Sequence, residues 1–328
     1  MKAVYIRESG GPEVLEVREA DAPQPGPGEV LIDVVAAGLN RADVQQRRGL
    51  YPPPDGISEV PGLEVSGTVA ALGPEVGESD FAVGDAVVAL LAGGGYAEQV
   101  VAPVGQVLAV PEGMDITTAA ALPEVTATVF SNLFISAAVR PGETVLIHGG
   151  AGGIGTMAVQ LVRAFEAHAA VTAGSTEKLE VAGILGAETM INYRSHDFVE
   201  EIRNATDGRG ADVILDVVGA KYLDQNVDAL AVAGRLVVIG LQGGTKAELN
   251  LGKLMSKRAA IIGTTLRARP VEEKSTIMQA VGEHVWPLIR SGKVRPQVDR
   301  TYPLEDVVTA HDYFDSGEHT GKVLITMQ

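Results

Sequence analysis

The spacing richest in chemistry is Gly150-Ala151-Gly152-Gly153-Ile154-Gly155, a G-x-G-x-x-G run. It directly follows an apolar stretch, TVLIHG, and directly precedes a helix-like stretch, GIGTMAVQLVRAFEA. In a chain with 39 glycines a bare match would carry little weight, but a strand before it and a helix after it make a dinucleotide site the expected reading. Gly150 permits the tight turn, Gly152 lets backbone approach a pyrophosphate, and Gly155 allows the helix to pack closely on the strand. The amides of the first helical turn, at Gly153 and Ile154, then face the anion.

The next apolar run, AAVTAG, ends at Gly174-Ser175, where a protein selecting NAD would carry Asp or Glu for the ribose 2′-hydroxyl. No carboxylate stands there. Ser175 can donate to a 2′-phosphate and Lys178 can pair with it as a point charge, so NADPH is the expected cofactor. A second reading leaves Ser175 as the cap of the following helix and Lys178 as a solvated first-turn residue. His148 precedes the glycine loop at the end of a buried strand, with no carboxylate near it in sequence, and is expected to be structural. His284, His311 and His319 lack the spacing of metal ligands.

These residues need elements to hold them. At 328 residues the chain is long for one core, and two domains are expected. Up to about Leu122 the pattern is short β-branched runs broken by Gly and Pro, such as VLIDVVAAG, VSGTVAALG and AEQVVAPVG, which predicts an irregular β domain. From 123 to about 266, strands alternate with helix-length segments, and DVILDVVG and GRLVVIG read as buried parallel strands, which predicts βαβ units. A helical segment from Val271 to about Ser291 and a final strand, GKVLITMQ, break that alternation.

Composition narrows the function classes. Hydrophobic residues at 46% and charged residues at 21% predict a packed globular chain. The formal net charge of −16 argues against nucleic acid as a main partner and against anionic membranes. There is no cysteine, so disulfides and thiolate metal sites are excluded. The N-terminus lacks the apolar core of a secretory signal, and no uninterrupted apolar run reaches about eighteen residues, so a cytoplasmic location is expected.

Taken in order, AGLNRADVQQRRGLYPPP, PGLEVSG, LLAGGGYAEQVV and HGGAGGIG give the chain a resemblance to the zinc-free quinone oxidoreductases of the medium-chain dehydrogenase/reductase superfamily. The resemblance covers essentially the whole chain. It implies an α/β protein: a GroES-like β-rich catalytic domain built from 1–122 and 267–328, with a doubly wound Rossmann domain, 123–266, inserted for NADPH. In the zinc branch of the superfamily a Cys stands where this chain has Asn40, and a His where it has Leu63 of Gly62-Leu63-Glu64, so a metal is not expected.

The same resemblance assigns Asn40 and Tyr51 as catalytic candidates beside the nicotinamide, Asn40 also contacting the cofactor, and Tyr51 donating to an acceptor oxygen. It places Thr128, Tyr193 and Gly240 with Gly150, Gly152, Gly153, Ile154, Gly155, Gly174, Ser175 and Lys178 in cofactor binding. Residue by residue, Asn40 also reads as a turn residue, Tyr51 as a packed aromatic and Thr128 as a helix residue bonded to its own backbone. The implied activity is hydride transfer from NADPH to a quinone or activated carbonyl, in a homodimer or homotetramer. The alternatives are an enone or alkene reductase and a non-catalytic NADPH-binding, crystallin-like protein.

Overall fold

The computed structural model describes residues 1–77 and 80–327. The chain folds as two compact units, one of Met1–Ala127, Leu266–Arg290 and Pro296–Gln328, the other of Thr128–Thr265 and Ser291–Arg295.

The first unit is built on a mixed sheet. Its strands are β3 (Glu29–Gly38), β4 (Glu64–Leu72), β5 (Ala86–Leu90), β6 (Gln99–Pro103), β7 (Val107–Ala109), β14 (Val298–Pro303) and β15 (Lys322–Thr326). They run in the order β14-β15-β3-β4-β5-β7, with β6 also pairing β3, and a separate hairpin joins β1 (Lys2–Ile6) to β2 (Leu15–Glu19). The short helices are α1 (Arg41–Arg47), α2 (Ile116–Ala119) and α10 (Trp286–Arg290). Longer ones are α9 (Val271–His284) and α11 (Val307–Ser316), and the chain leaves the unit within α3 (Pro123–Phe130). Buried side chains from many of these strands, among them Val30, Ile32, Val65, Val87, Val323 and Ile325, share one core. Each such residue removed from water contributes roughly 1.5–3 kcal/mol.

β3 organises this unit because it is paired on both sides. It meets β15 with Leu324 opposite Gly38, and β4 with Ala37 opposite Val65. Continuing those antiparallel registers brings Lys322 opposite Asn40 and Glu64 opposite Gly38. The final strand therefore closes onto the first half of the chain, a pairing that periodicity alone does not reveal.

The second unit is a six-stranded sheet in which every pairing is parallel. The strands are β8 (Thr144–His148), β9 (His168–Ala173), β10 (Thr189–Asn192), β11 (Ala211–Asp216), β12 (Leu230–Val238) and β13 (Ala260–Gly263). Their order is β10-β9-β8-β11-β12-β13, so β8 and β11 flank the point where the winding reverses. The connecting helices are α4 (Gly153–Ala164), α5 (Thr176–Ile184), α6 (Phe198–Asn204), α7 (Leu223–Ala229) and α8 (Leu251–Lys257). Every residue of β8 is buried, as expected of a strand covered on both faces. In such sheets ligands bind outside the carboxyl ends of the strands at the reversal point.

One segment departs from the sequence reading. Ile116–Ser136, 21 residues of mean hydropathy 1.2, is helical and by length and composition apolar enough to cross a membrane. Counting uninterrupted apolar residues misses it, because Thr, Glu and Asn interrupt the run. Within its most apolar window, 78% is buried inside the protein, as in a core helix.

Candidate active site

The glycine loop leaves β8 and enters α4 with its own amides already organised. The Gly149 and Gly150 amides donate to the Thr172 carbonyl at 3.1 and 3.0 Å, and Gly152 N–H donates to the Gly149 carbonyl at 3.2 Å. A Cβ on Gly150 would lie 2.5 Å from Val171 Cβ, and one on Gly155 2.2 Å from the Gly149 carbonyl oxygen. Packing of helix on strand thus demands both. Gly152, the N-cap of α4, is different: a Cβ there meets only the Gly149 oxygen, at 3.7 Å. The protein leaves that space open, which is what close approach of a pyrophosphate requires.

At the carboxyl end of β9 a Cβ on Gly174 would fall 2.6 Å from the Tyr193 hydroxyl and 3.3 Å from Arg194 Nε. Tyr193, 43% exposed, therefore stands over Gly174 with a guanidinium beside it, and Arg194 is a basic residue the motif reading passes over. Ser175 is the N-cap of α5, and its hydroxyl oxygen accepts from Lys178 N–H at 3.4 Å. Glu177 follows in the first turn, its carboxyl held below the usual range by a backbone hydrogen bond first and by Ser175 second. The Ser175 hydroxyl is thus already used in capping the helix.

Gly240 lies past the end of β12, where a Cβ would come within 2.8 Å of the Val217 carbonyl, so backbone packing by itself accounts for the glycine. Thr128, in α3, is buried, and its carbonyl accepts from Asn132 Nδ2 at 2.8 Å in the π-helical turn Ser131–Ser136. The Asn132 side-chain oxygen in turn accepts from Thr264 Oγ1 at 2.5 Å. His148 is fully enclosed between Thr172 Oγ1 at 3.0 Å and Asn226 Oδ1 at 2.8 Å, against the rings of Phe198 and Tyr222. Burial lowers its pKa to about 4, so it is a neutral packing residue at pH 7. Asp216, ending β11, receives the Val218 and Gly219 amides at 2.7 and 3.0 Å. Burial nevertheless raises its pKa to about 6.

In the first unit the strand registers described above assemble a buried polar cluster. Lys322 Nζ lies 2.6 Å from Glu64 Oε1, 2.6 Å from Asn40 Oδ1 and 2.9 Å from the Leu39 carbonyl. Asn40 Nδ2 donates to Glu64 Oε1 at 2.9 Å and to the Gly38 carbonyl at 3.2 Å, while Glu64 Oε2 accepts the Glu124 amide at 2.8 Å. Glu64 is 0% exposed and Lys322 4%, so this is an ion pair held out of water. A Cβ on Gly38 would strike Glu64 Oε1, which explains the glycine ending β3. Asn40 therefore has both amide hydrogens and its oxygen engaged within the protein. Its orientation is set by Lys322, a residue 282 positions away. Asp43 completes the cluster, accepting the Asn40 and Gly62 amides and the Tyr96 hydroxyl at 2.8, 3.1 and 3.0 Å. Burial raises its pKa to about 6 against those donors.

Tyr51 sits beside Arg267, another residue the motif reading omits. The guanidinium is 5.5 Å from the centre of the Tyr51 ring, within cation–π range, and NH1 donates to the Tyr51 carbonyl at 3.3 Å. Further donations, to the Ala92 carbonyl at 2.6 Å and to Gln46 Oε1 at 2.7 Å, fix the guanidinium, which is 4% exposed. Burial raises the Tyr51 hydroxyl's pKa and Arg267 opposes the shift, so the group is protonated at neutral pH and able to donate.

Comparison with known proteins gives these geometries a family. Residues 26–112 match the model of the alcohol dehydrogenase GroES-like domain and residues 153–282 that of zinc-binding dehydrogenase. The chain is 33% identical to the quinone oxidoreductase of Homo sapiens over 333 residues, covering 100% of this chain and 98% of the relative. It is also similar to the structure of Escherichia coli quinone oxidoreductase complexed with NADPH, with a TM-score of 0.88, 30% identity and coverage of 99% and 100%. A third likeness is to CurK enoyl reductase, with a TM-score of 0.86, 29% identity and coverage of 100% and 99%.

The zinc in one model's description does not fit the residues present. Asn40 Oδ1 and Glu64 Oε1 both face an ammonium, and no group of three or more His, Cys, Asp or Glu among the described residues is placed to hold a metal. With both domain models matched in order and a full-length relative at this identity, the chain belongs to the quinone oxidoreductase family of the medium-chain dehydrogenase/reductase superfamily.

Proposed function

We propose that this protein is an NADPH-dependent oxidoreductase that transfers hydride to a quinone without zinc. The observation that carries the reading is the Lys322 ammonium held between Glu64 and Asn40, where the zinc branch places a metal ligand. A simple carbonyl needs a Lewis acid to take up the charge of an arriving hydride, whereas a quinone disperses that charge through its own conjugation. When bound, NADPH supplies the hydride from its nicotinamide C4.

The chain's residues supply position and charge. The open space at Gly152 and the first-turn amides of Gly153 and Ile154 would receive the pyrophosphate, with Gly150 and Gly155 shaping the turn. Lys178, Tyr193 and Arg194 would meet the 2′-phosphate above Gly174, with Ser175 holding that helix start in place. Thr128, in α3, is the proposed contact to the nicotinamide side, and Gly240 keeps the β12 end close to Val217. Asn40, locked by Lys322 and Glu64, acts as a rigid wall of the site. Tyr51 donates its phenolic proton to the acceptor oxygen as charge develops there, and Arg267 holds the ring and stabilises that charge.

A second reading, reduction of an enone, is favoured by the likeness to CurK enoyl reductase, because conjugate addition uses the same donor carbon and the same proton donor. Steady-state rates with NADPH across quinones and enones separate the two. We further propose a cytoplasmic chain that assembles as a homodimer or homotetramer. The β13 edge of the second unit and the exposed Leu251 and Met255 of α8, the helix that leads into β13, support assembly. Native mass spectrometry tests it, a monomer being the contrary result.

A further inference from the structure

A cavity of about 640 Å³ lies wholly within the first unit and includes none of the catalytic or cofactor candidates in its lining. Its size suits a small organic molecule. Ile57, Val60, Leu91 and Val271 give it apolar wall, and two buried polar side chains, Lys274 and Gln106, interrupt that wall.

Both are placed as if for a ligand. Lys274 is 4% exposed, and its ammonium reaches the Arg267 carbonyl only at 3.4 Å, the long end of a hydrogen bond. The Glu124 carboxylate favours its charged form, yet burial dominates and lowers its pKa. Gln106 is 1% exposed, and its side-chain oxygen has no hydrogen-bond partner. Buried polar atoms are ordinarily paired, and an unpaired one carries a desolvation cost that a ligand donor would relieve. Asp21 and Glu29 also line the cavity but are exposed and half-buried, so water screens them more than it screens Lys274.

We propose that this cavity binds a small organic acid bearing a hydroxyl group on an apolar body, its carboxylate on Lys274 and its hydroxyl donating to the Gln106 oxygen. An acid without the hydroxyl leaves the Gln106 oxygen unpaired. A neutral alcohol brings no anion to the ammonium.

Isothermal titration of the full chain without NADPH, using benzoate, meta-hydroxybenzoate and para-hydroxybenzoate as probes, tests the site. At least one hydroxybenzoate should bind saturably and about tenfold more tightly than benzoate. Lys274→Met should weaken all three by roughly tenfold or more, and Gln106→Leu should bring the hydroxybenzoate down to the level of benzoate. Val271→Glu, at a residue 45% exposed in the first turn of α9 where a carboxylate does not disturb the helix, should weaken the anions without unfolding the chain. Tyr51→Phe should leave probe binding unchanged. Absence of saturable binding would mean that the cavity holds water alone. Equal binding of benzoate and both hydroxybenzoates, indifference to Lys274→Met and Val271→Glu, or a matching loss in Tyr51→Phe would also overturn the proposal.

Discussion

Replacing Lys322 by Met keeps the length of the side chain and removes its charge, which strands Glu64. The carboxylate, 0% exposed, keeps two donors, Asn40 Nδ2 at 2.9 Å and the Glu124 amide at 2.8 Å, and loses its cation at 2.6 Å. The Asn40 side-chain oxygen and the Leu39 carbonyl lose a donor at the same time. Breaking one side of a buried ion pair costs about 3–5 kcal/mol, several times the value of an exposed pair. The readout is at hand, because the chain's single tryptophan, Trp286, is buried in the first unit and bonded to the Ala109 carbonyl at 2.9 Å. At a urea slope of about 2–3 kcal/mol per molar, the midpoint followed by Trp286 fluorescence should fall by roughly 1–2.5 M. Lys322→Met combined with Glu64→Gln removes both charges, and its loss should be smaller than the sum of the two single losses by about 2 kcal/mol or more. A single-variant loss below about 1 kcal/mol, or strictly additive losses, would refute the view that this pair is a tightly coupled substitute for a metal.

The two loop glycines should separate folding from binding: Gly155→Ala, whose Cβ would lie 2.2 Å from a carbonyl oxygen, should lower the melting temperature, whereas Gly152→Ala should melt near wild type and still weaken NADPH, as calorimetry and fluorescence titration can measure. Lys178→Ala should weaken NADPH by roughly tenfold to a hundredfold and NADH hardly at all, since one charge-assisted hydrogen bond contributes about 1.5–3 kcal/mol; equal losses in the two dissociation constants would contradict a 2′-phosphate site. Tyr51→Phe should lower quinone turnover by on the order of tenfold to a hundredfold with NADPH affinity unchanged, and an unchanged rate would leave Tyr51 a packing residue held by Arg267.

The sequence spoke most clearly where chemistry is local. The turn from β8 to α4, the glycines that pack it and the missing carboxylate after β9 are all readable over some thirty residues, because strand, loop and helix there are consecutive. Alternation of period likewise exposed the parallel sheet. Cooperation between distant residues was silent. Lys322 meets Asn40 only because β15 pairs with β3, and Arg267 reaches Tyr51 across 216 positions, so neither partnership leaves a spacing to find. Arg194 was legible in principle as a base next to Tyr193. Its place over Gly174 depends on the pairing of β9 with β10. Ser175 shows the reverse case, a residue whose capping role is a local rule and whose ligand role is not.

The central claim is that a zinc-independent site passes hydride from NADPH to a quinone. Steady-state kcat/KM, measured with NADPH and a strong chelator present, for an ortho-quinone, a para-quinone and an α,β-unsaturated ketone tests it most directly. The account predicts sustained turnover in chelator, with a quinone the best acceptor by at least tenfold and the ketone behind. Loss of activity in chelator, a ketone reduced faster than either quinone, or no turnover at micromolar enzyme would contradict it.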